Sequence, residues 1–375
     1  MKKTIFITIL FYATCVCAVS WREIAKENDM MAGQEKIDAG ADVNQKLEQG
    51  MTPLLWTTFY GSADVVRCLL EHGACKNDMN NVRYQDGYWI RKGWEAIDIA
   101  MTDEPMQGYG YASILKKDFA RRAIIQMLLA HDKELAQRTL EVLNFRDSLD
   151  KATYSFLKFC TGVSFATFPT TCNTYRLAVE CIANDIPGDF VECGVARGAQ
   201  IAVMGYACQQ YQCEKKIHLF DSFQGIPLAG PNDASQPGIR GPIKHNVNVP
   251  LEQLLVSSGV DVFSVSYVKN NMKRWGVEPH RLVYHEGWFQ NTLPTDADKI
   301  EQICVLRLDG DLYESTKVCL EYLYPKIVPG GYLIVDDYAL PGCAKAIHEY
   351  REKHGITCPI IKIPQGRGPA YWRVS

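Results

Sequence analysis

The chain has no C-x-x-C pair, no run of basic residues, no G-x-G-x-x-G, and, beyond its first 18 positions, no apolar stretch near the ~20 residues that cross a bilayer. Each absence excludes a class. Its 14 cysteines lack metal-ligand spacing, which argues against zinc modules and thioredoxin-like motifs. Cys193 and Cys304 fall inside apolar strands and Cys208 and Cys319 on apolar helix faces, so buried free thiols are expected rather than a disulfide framework or a catalytic cysteine. A formal charge of -3 without a basic face speaks against a sequence-independent nucleic-acid binder and does not favour acidic substrates. The missing glycine pattern removes the dinucleotide fingerprint. What is present is ample core: 47% of 375 residues are apolar, enough for two domains and too many for a disordered chain.

The N-terminus is set apart. Lys2 and Lys3 precede the apolar stretch Thr4 to Ala18, and Val16 and Ala18 place small residues where a signal peptidase requires them. Residues 1–18 are therefore expected to form a signal-peptide-like segment and to favour export, although scattered thiols suit a reducing compartment. Tyr12-Ala13-Thr14 before Cys15 is a poor acylation motif. The alternative is a cytoplasmic protein whose apolar N-terminus is a membrane anchor, or one that starts at Met30 or Met31.

Gly40-Ala41-Asp42-Val43-Asn44 recurs as Gly73-Ala74-Cys75-Lys76-Asn77 after 33 residues. Between them, Thr52-Pro53-Leu54 and the helical run from Val65 to Gly73 resemble the two helices of an ankyrin repeat. Residues 19–138 are expected to be ankyrin-like repeats, the first helix running from Trp21 to Met30, with a degenerate unit from Gly93 to His131. Insertions at 79–92 and 102–118 carry Tyr84, Tyr88, Trp89, Tyr109 and Tyr111, which suit either a surface for a protein partner or a seal against the next domain. Residues 139–187, with helical periodicity, form a bridge.

From Gly188 to the C-terminus short apolar runs alternate with helical patterns: 189–193, 217–220, 282–284, 303–308, 332–335, 360–363 and 370–374. Seven such strands predict a doubly wound α/β domain, with a ligand beyond the carboxyl ends of its strands. Two acidic clusters stand at those ends, Asp309-Gly310-Asp311 after one run and Asp336-Asp337 after another. Four carboxylates converging on one crevice repel unless a hard divalent cation joins them, Mg²⁺ before Zn²⁺ because no His or Cys is among them. Taken singly, each Asp also suits a strand end or a helix cap.

The turn Glu192-Cys193-Gly194-Val195-Ala196-Arg197-Gly198 follows the first strand and is similar to the first motif of S-adenosylmethionine-dependent methyltransferases. Asp221, ending the second strand, is placed to accept hydrogen bonds from ribose hydroxyls or to cap a helix, with Ser222 a competitor for the cap. Gly287, Trp288 and Phe289 after the third strand would lie beside an adenine ring, and Trp288 suits the core equally.

With these motifs, the stretch Phe220 to Pro227, the run Glu286 to Pro294, Leu306 to Thr316, Pro329 to Tyr338 and the closing Tyr371-Trp372-Arg373, the chain from about 171 to 375 resembles the macrocin O-methyltransferase (TylF-type) family. The resemblance implies a class I methyltransferase fold and transfer of a methyl group from S-adenosylmethionine to a sugar hydroxyl with Mg²⁺. It implies that Asp309, Asp336 and Asp337 bind the metal and Asp311 is the general base. It places Glu192, Gly194, Gly198, Asp221, Ser222, Gly287, Trp288 and Phe289 around the cofactor. The acceptor would be a polyhydroxylated small molecule or glycan. Ala199-Gln200 departs from the Gly-Ser common in the family, and Ala229 to Val268, which includes His245, would form a lid. A binding protein with an inactive methyltransferase scaffold, and a catechol-type O-methyltransferase, stand as alternatives.

Overall fold

In the computed structural model the described residues are 19–47, 50–76, 120, 122–130, 133–233, 249–363 and 369–375. The export-like segment, the tyrosine-rich insertions and His245 lie outside them. The chain divides into two compact units, Met1–Glu141 with Pro364–Gly366, and Val142–Ile363 with Arg367–Ser375.

The first unit is built of short helix pairs. Ser20 opens α1 (Trp21–Glu27) with a reciprocal capping box to Glu23. The helix stops short of Met30 because Asn28 turns left-handed, at φ 52°, and Asp29 caps a new helix, α2 (Met30–Asp38). Thr52 caps α3 (Pro53–Tyr60), Pro53 suits its first turn, and Gly61 at φ 73° ends it before α4 (Ala63–Glu71). The 33-residue recurrence has a physical counterpart. Asn44 donates to the Gly73 carbonyl at 3.2 Å and accepts from the Cys75 amide at 2.7 Å, so equivalent turns of successive repeats are tied together.

The second unit centres on a seven-stranded sheet. Helix α5 (Lys133–Ser148) runs across the division at Val142, and α6 (Lys151–Val163) and α7 (Phe168–Ala183) precede β1 (Asp189–Cys193), α8 (Ala199–Tyr211) and β2 (Ile217–Asp221). There follow α9 (Val265–Arg274), β3 (Leu282–Glu286), α10 (Phe289–Asp296), β4 (Ile303–Leu308), α11 (Tyr313–Leu323), β5 (Ile327–Val335), α12 (Pro341–Lys353), β6 (Ile361–Lys362) and β7 (Ala370–Arg373). The strand order is β3-β2-β1-β4-β5-β7-β6, parallel except where β7 runs against both neighbours. Alternation along the strands supplies both faces with core. Phe190, Leu219 and Ile334 pack with α6, α7 and α8, while Val191, Phe220, Leu333 and Val335 pack with α10, α11 and α12. β5 begins earlier than its apolar run, because Gly330 and Gly331 exchange backbone hydrogen bonds with Val374.

The order reverses between β1 and β4, which opens a crevice at their carboxyl ends. On the far side of β2 a polar chain ties strands together. The His218 Nδ1 and His285 Nε2 atoms are 3.0 Å apart, and their outer nitrogens meet Asp189 at 3.3 Å and Asp296 at 2.8 Å. Lys299 and His285 hold the Asp296 carboxyl down to about 2. Its folded value is depressed, so its stabilisation is present above the ordinary value of 3.8 and is lost as pH falls through about 2. Asp296→Asn is expected to unfold at lower urea concentration than the parent at pH 7, and the gap is expected to close as pH is lowered from about 4 to about 2; a gap independent of pH would refute the charge as its cause.

Candidate active site

Leu308 and Val335 are register partners on parallel strands, so the residues that follow them, Asp309 and Asp336, emerge side by side. Asp309 donates its amide to the Cys193 carbonyl at 2.8 Å and Asp336 its amide to the Leu308 carbonyl at 2.9 Å, which carries the ladder into the site. Asp337 comes next and accepts the Asp311 amide at 2.8 Å. Asp309, Asp336 and Asp337 each present an oxygen, all within 4.8 Å of one another, from half-buried side chains. No His or Cys belongs to this group.

Arg307, inside the apolar run of β4, is fully buried and reaches three carboxylates. Its Nη1 donates to Glu192 Oε1 and Asp309 Oδ2, both at 2.7 Å, and its Nη2 donates to Asp336 Oδ1. One guanidinium does not neutralise the cluster. Burial, and then the Asp309 charge, push the Asp336 carboxyl up to about 7 against the pull of Arg307. Burial followed by the charges of Asp309, Asp261, Asp336 and Asp233 raises Asp311 well above the carboxylate range, and burial followed by Asp311, Asp309 and Asp336 does the same for Asp337. An excess of converging carboxylate oxygens is the donor set of a hard divalent cation, so the residues fit Mg²⁺.

The residues assigned to the cofactor divide into two kinds. Gly194, at φ 89°, has its Cα so close to the turn after β4 that a Cβ there would lie 1.8 Å from the Asp309 carbonyl oxygen. Its need for glycine is thus met inside the protein, by the approach of β4. Gly198, at φ 88°, begins α8 beside Met272, and Gly287, at φ 144°, donates its amide to the Asp221 carbonyl at 2.9 Å. Asp221 caps no helix. Its carboxylate accepts the amides of Val195 at 2.7 Å, Ala196 at 3.3 Å and Phe223 at 2.6 Å, holding the turn after β1. A carboxylate has about four lone-pair sites, so three bonds leave capacity for a ligand hydroxyl.

Ser222 is buried, donating to the Gly225 carbonyl at 2.9 Å and accepting the Gln224 amide at 3.0 Å, a turn role. Phe289 is buried in the core, with its ring against Gly310, whereas Trp288 stays half-buried at the start of α10. Glu192 faces Arg307, and its Oε2 has no hydrogen-bond partner among the described residues. Gln200, the departure after the second glycine, donates to Thr171 of α7 at 3.2 Å.

Two features escape a reading by motif. Arg307 is one; the signal for it was an arginine in an otherwise apolar strand, which burial forces to find partners. The other is Arg197, whose guanidinium lies 5.1 Å from the ring centres of both Phe165 and Phe263, bracing the turn after β1. A small cavity at the start of α11 is lined by Leu251, Leu254 and Leu312 together with the polar Asp233, Gln290 and Glu314. Hydrogen bonds from Ile226 to Val260 and from Leu228 to Leu254 hold its wall.

A sheet of this order, with a glycine turn after β1 and ligand-type carboxylates after β4 and β5, defines a class I methyltransferase. The chain matches the model of the TylF macrocin-O-methyltransferase family over residues 172–374 and belongs to that family, whose members are S-adenosylmethionine-dependent O-methyltransferases. An ankyrin repeat matches at residues 49–81. Mycinamicin III 3''-O-methyltransferase of Micromonospora griseorubida is 34% identical over 206 residues, covering 54% of this chain and 75% of that protein. The 8-demethyl-8-(2,3-dimethoxy-alpha-L-rhamnosyl)-tetracenomycin-C 4'-O-methyltransferase of Streptomyces olivaceus is 36% identical over 195 residues, or 51% of this chain and 68% of that one. Among solved structures, the O-methyltransferase NovP is 35% identical over 54% of this chain and 78% of its own, with a TM-score of 0.45. Among the described residues no helix is long and apolar enough to cross a membrane.

Gly194→Ala tests how tightly β1 and β4 are joined. The added methyl meets backbone rather than a flexible side chain, and the left-handed conformation disfavours it further. A loss of more than about 2 kcal/mol is expected, the range for strained backbone and overpacked cores, read from urea unfolding; a parent-like midpoint would show that the approach is looser than described.

Proposed function

We propose that the protein O-methylates a hydroxyl of a sugar or glycosylated small molecule, with a divalent cation, Mg²⁺ first, held by Asp309, Asp336 and Asp337. The observation that carries this reading is the convergence of those three carboxylates at the carboxyl ends of β4 and β5. The tetracenomycin relative above, whose name describes 4'-O-methylation of a rhamnosyl-bearing compound, supports the acceptor class. Bound there, the cation would supply a Lewis acid that makes a sugar hydroxyl more acidic, and S-adenosylmethionine would supply a methyl group on a sulfonium.

The chain's own residues do the rest. Asp311 takes the hydroxyl proton as the general base. Its amide bond to Asp337 fixes the base relative to the cation ligands, so an acceptor oxygen placed between them meets both groups at once. Asp221 and the turn it braces shape the cradle for the donor.

Asp311→Asn is expected to lower kcat by about 100-fold or more, the range for a general base, while calorimetry shows methyl-donor affinity within a few-fold of the parent. Asp336→Ala or Asp337→Ala is expected to abolish both activity and Mg²⁺ binding, and chelation with EDTA to stop the parent enzyme. Transfer of labelled methyl to a panel of glycosides that proceeds undiminished in EDTA would refute the cation, and a near-parental rate in Asp311→Asn would refute the base.

A further inference from the structure

Arg307 binds no substrate atom in the reading above, yet it is the most constrained side chain at the site. Its side chain has no exposed surface and that of Glu192 is only 2% exposed. The guanidinium spans three neighbouring strands, reaching Glu192 on β1, Asp309 beyond β4 and Asp336 beyond β5. It engages one oxygen of each aspartate, Oδ2 of Asp309 through Nη1 and Oδ1 of Asp336 through Nη2. The opposite oxygens, Oδ1 of Asp309 and Oδ2 of Asp336, take no hydrogen bond from the described residues. A planar fork with separate nitrogens fixes two carboxylate planes at once, which a point charge does not.

Resting on the cation reading of the Asp309, Asp336 and Asp337 cluster, we propose that Arg307 is a positioning residue for the cation: it selects which oxygen Asp309 and Asp336 present and holds both carboxylates at ligand spacing before any ion arrives. Glu192 is the anchor of this clamp. Its Oε1 holds Nη1 at 2.7 Å from the β1 side, and it supplies no ligand itself.

Two effects of Arg307 oppose each other. Its positive charge repels a neighbouring cation, so loss of the charge alone would tighten cation binding. Its geometry preorganises the ligands, so loss of the fork alone would weaken it. Arg307→Lys separates the two, because the charge stays while a single ammonium no longer serves Asp309 and Asp336 through separate nitrogens.

The experiment is a calorimetric titration of the full chain with MgCl2 and with MnCl2, without donor or acceptor, alongside thermal unfolding. Arg307→Lys is expected to lose about tenfold or more in cation affinity, as when an outer partner of a metal ligand is removed, with S-adenosylmethionine affinity retained. In turnover its kcat should recover at high Mg²⁺ while the KM for Mg²⁺ rises. Arg281→Met is the control for general destabilisation, since Arg281 is buried on Glu278 and the Cys213 carbonyl and touches none of these carboxylates; it should lower the melting temperature and leave cation affinity unchanged. Should Arg307→Lys fail to fold, Glu192→Asp, which shortens the anchor, should weaken cation binding in the same assay. Parent-like or tighter binding by the folded variant overturns the inference alone. If the parent protein itself binds neither ion, the cation reading and this inference fall together.

Discussion

A guanidinium with no exposed surface, held between carboxylates from three strands, is the constraint from which the rest of the site follows. Two unit charges about 4 Å apart interact by about 4 kcal/mol at an effective dielectric of about 20. Several carboxylates at such spacing cannot all ionise without counter-charge, and Arg307 supplies only one. Burial first, and then the remaining like charge, raises the proton affinity of Asp336, Asp337 and Asp311. The pair with Glu192 is no simple source of stability, because burying two ions costs what their attraction returns, and each retains an unbonded atom. Its value lies in orientation.

The strands were legible because each is an apolar run, and the sheet buries such runs on both faces. The acidic clusters were legible because they stand at strand ends, where open α/β sheets bind ligands. What the chain could not reveal is which ends become neighbours. Asp309 and Asp336 face one another only because β4 and β5 pair in register at Leu308 and Val335. Motif alone does not show why Gly194 must be glycine; the Asp309 carbonyl lies where a Cβ would be. Ser222 carries the polar atom expected of a cofactor contact, but a turn to Gly225 and Gln224 engages it. In the repeats, the helix that composition would extend through Met30 is cut by Asn28, whose left-handed conformation depends on local bonding that periodicity does not sense.

Asp221 shows how one carboxylate can serve two levels of the structure. Bonded to Val195, Ala196 and Phe223, it joins the turn after β1 to the turn after β2. A ligand that contacts either turn therefore acts on a surface already drawn together by this side chain. Arg197 braces the same turn from the other side between Phe165 and Phe263. The cradle is stiff for reasons internal to the protein, which is what preorganised binding demands.

Asp311 carries the strain that this rigidity permits. It holds φ at 59°, a conformation that non-glycine residues adopt at some cost, though Asp and Asn at less than most. The Leu312 amide closes the turn on the Gly310 carbonyl at 2.6 Å, and the Asp311 amide is spent on Asp337. An extended backbone here would carry the Asp311 amide away from Asp337. The left-handed turn keeps Asp311 in one frame with Asp309, Asp336 and Asp337, so the strain sits where it fixes the geometry that the proposed proton removal requires.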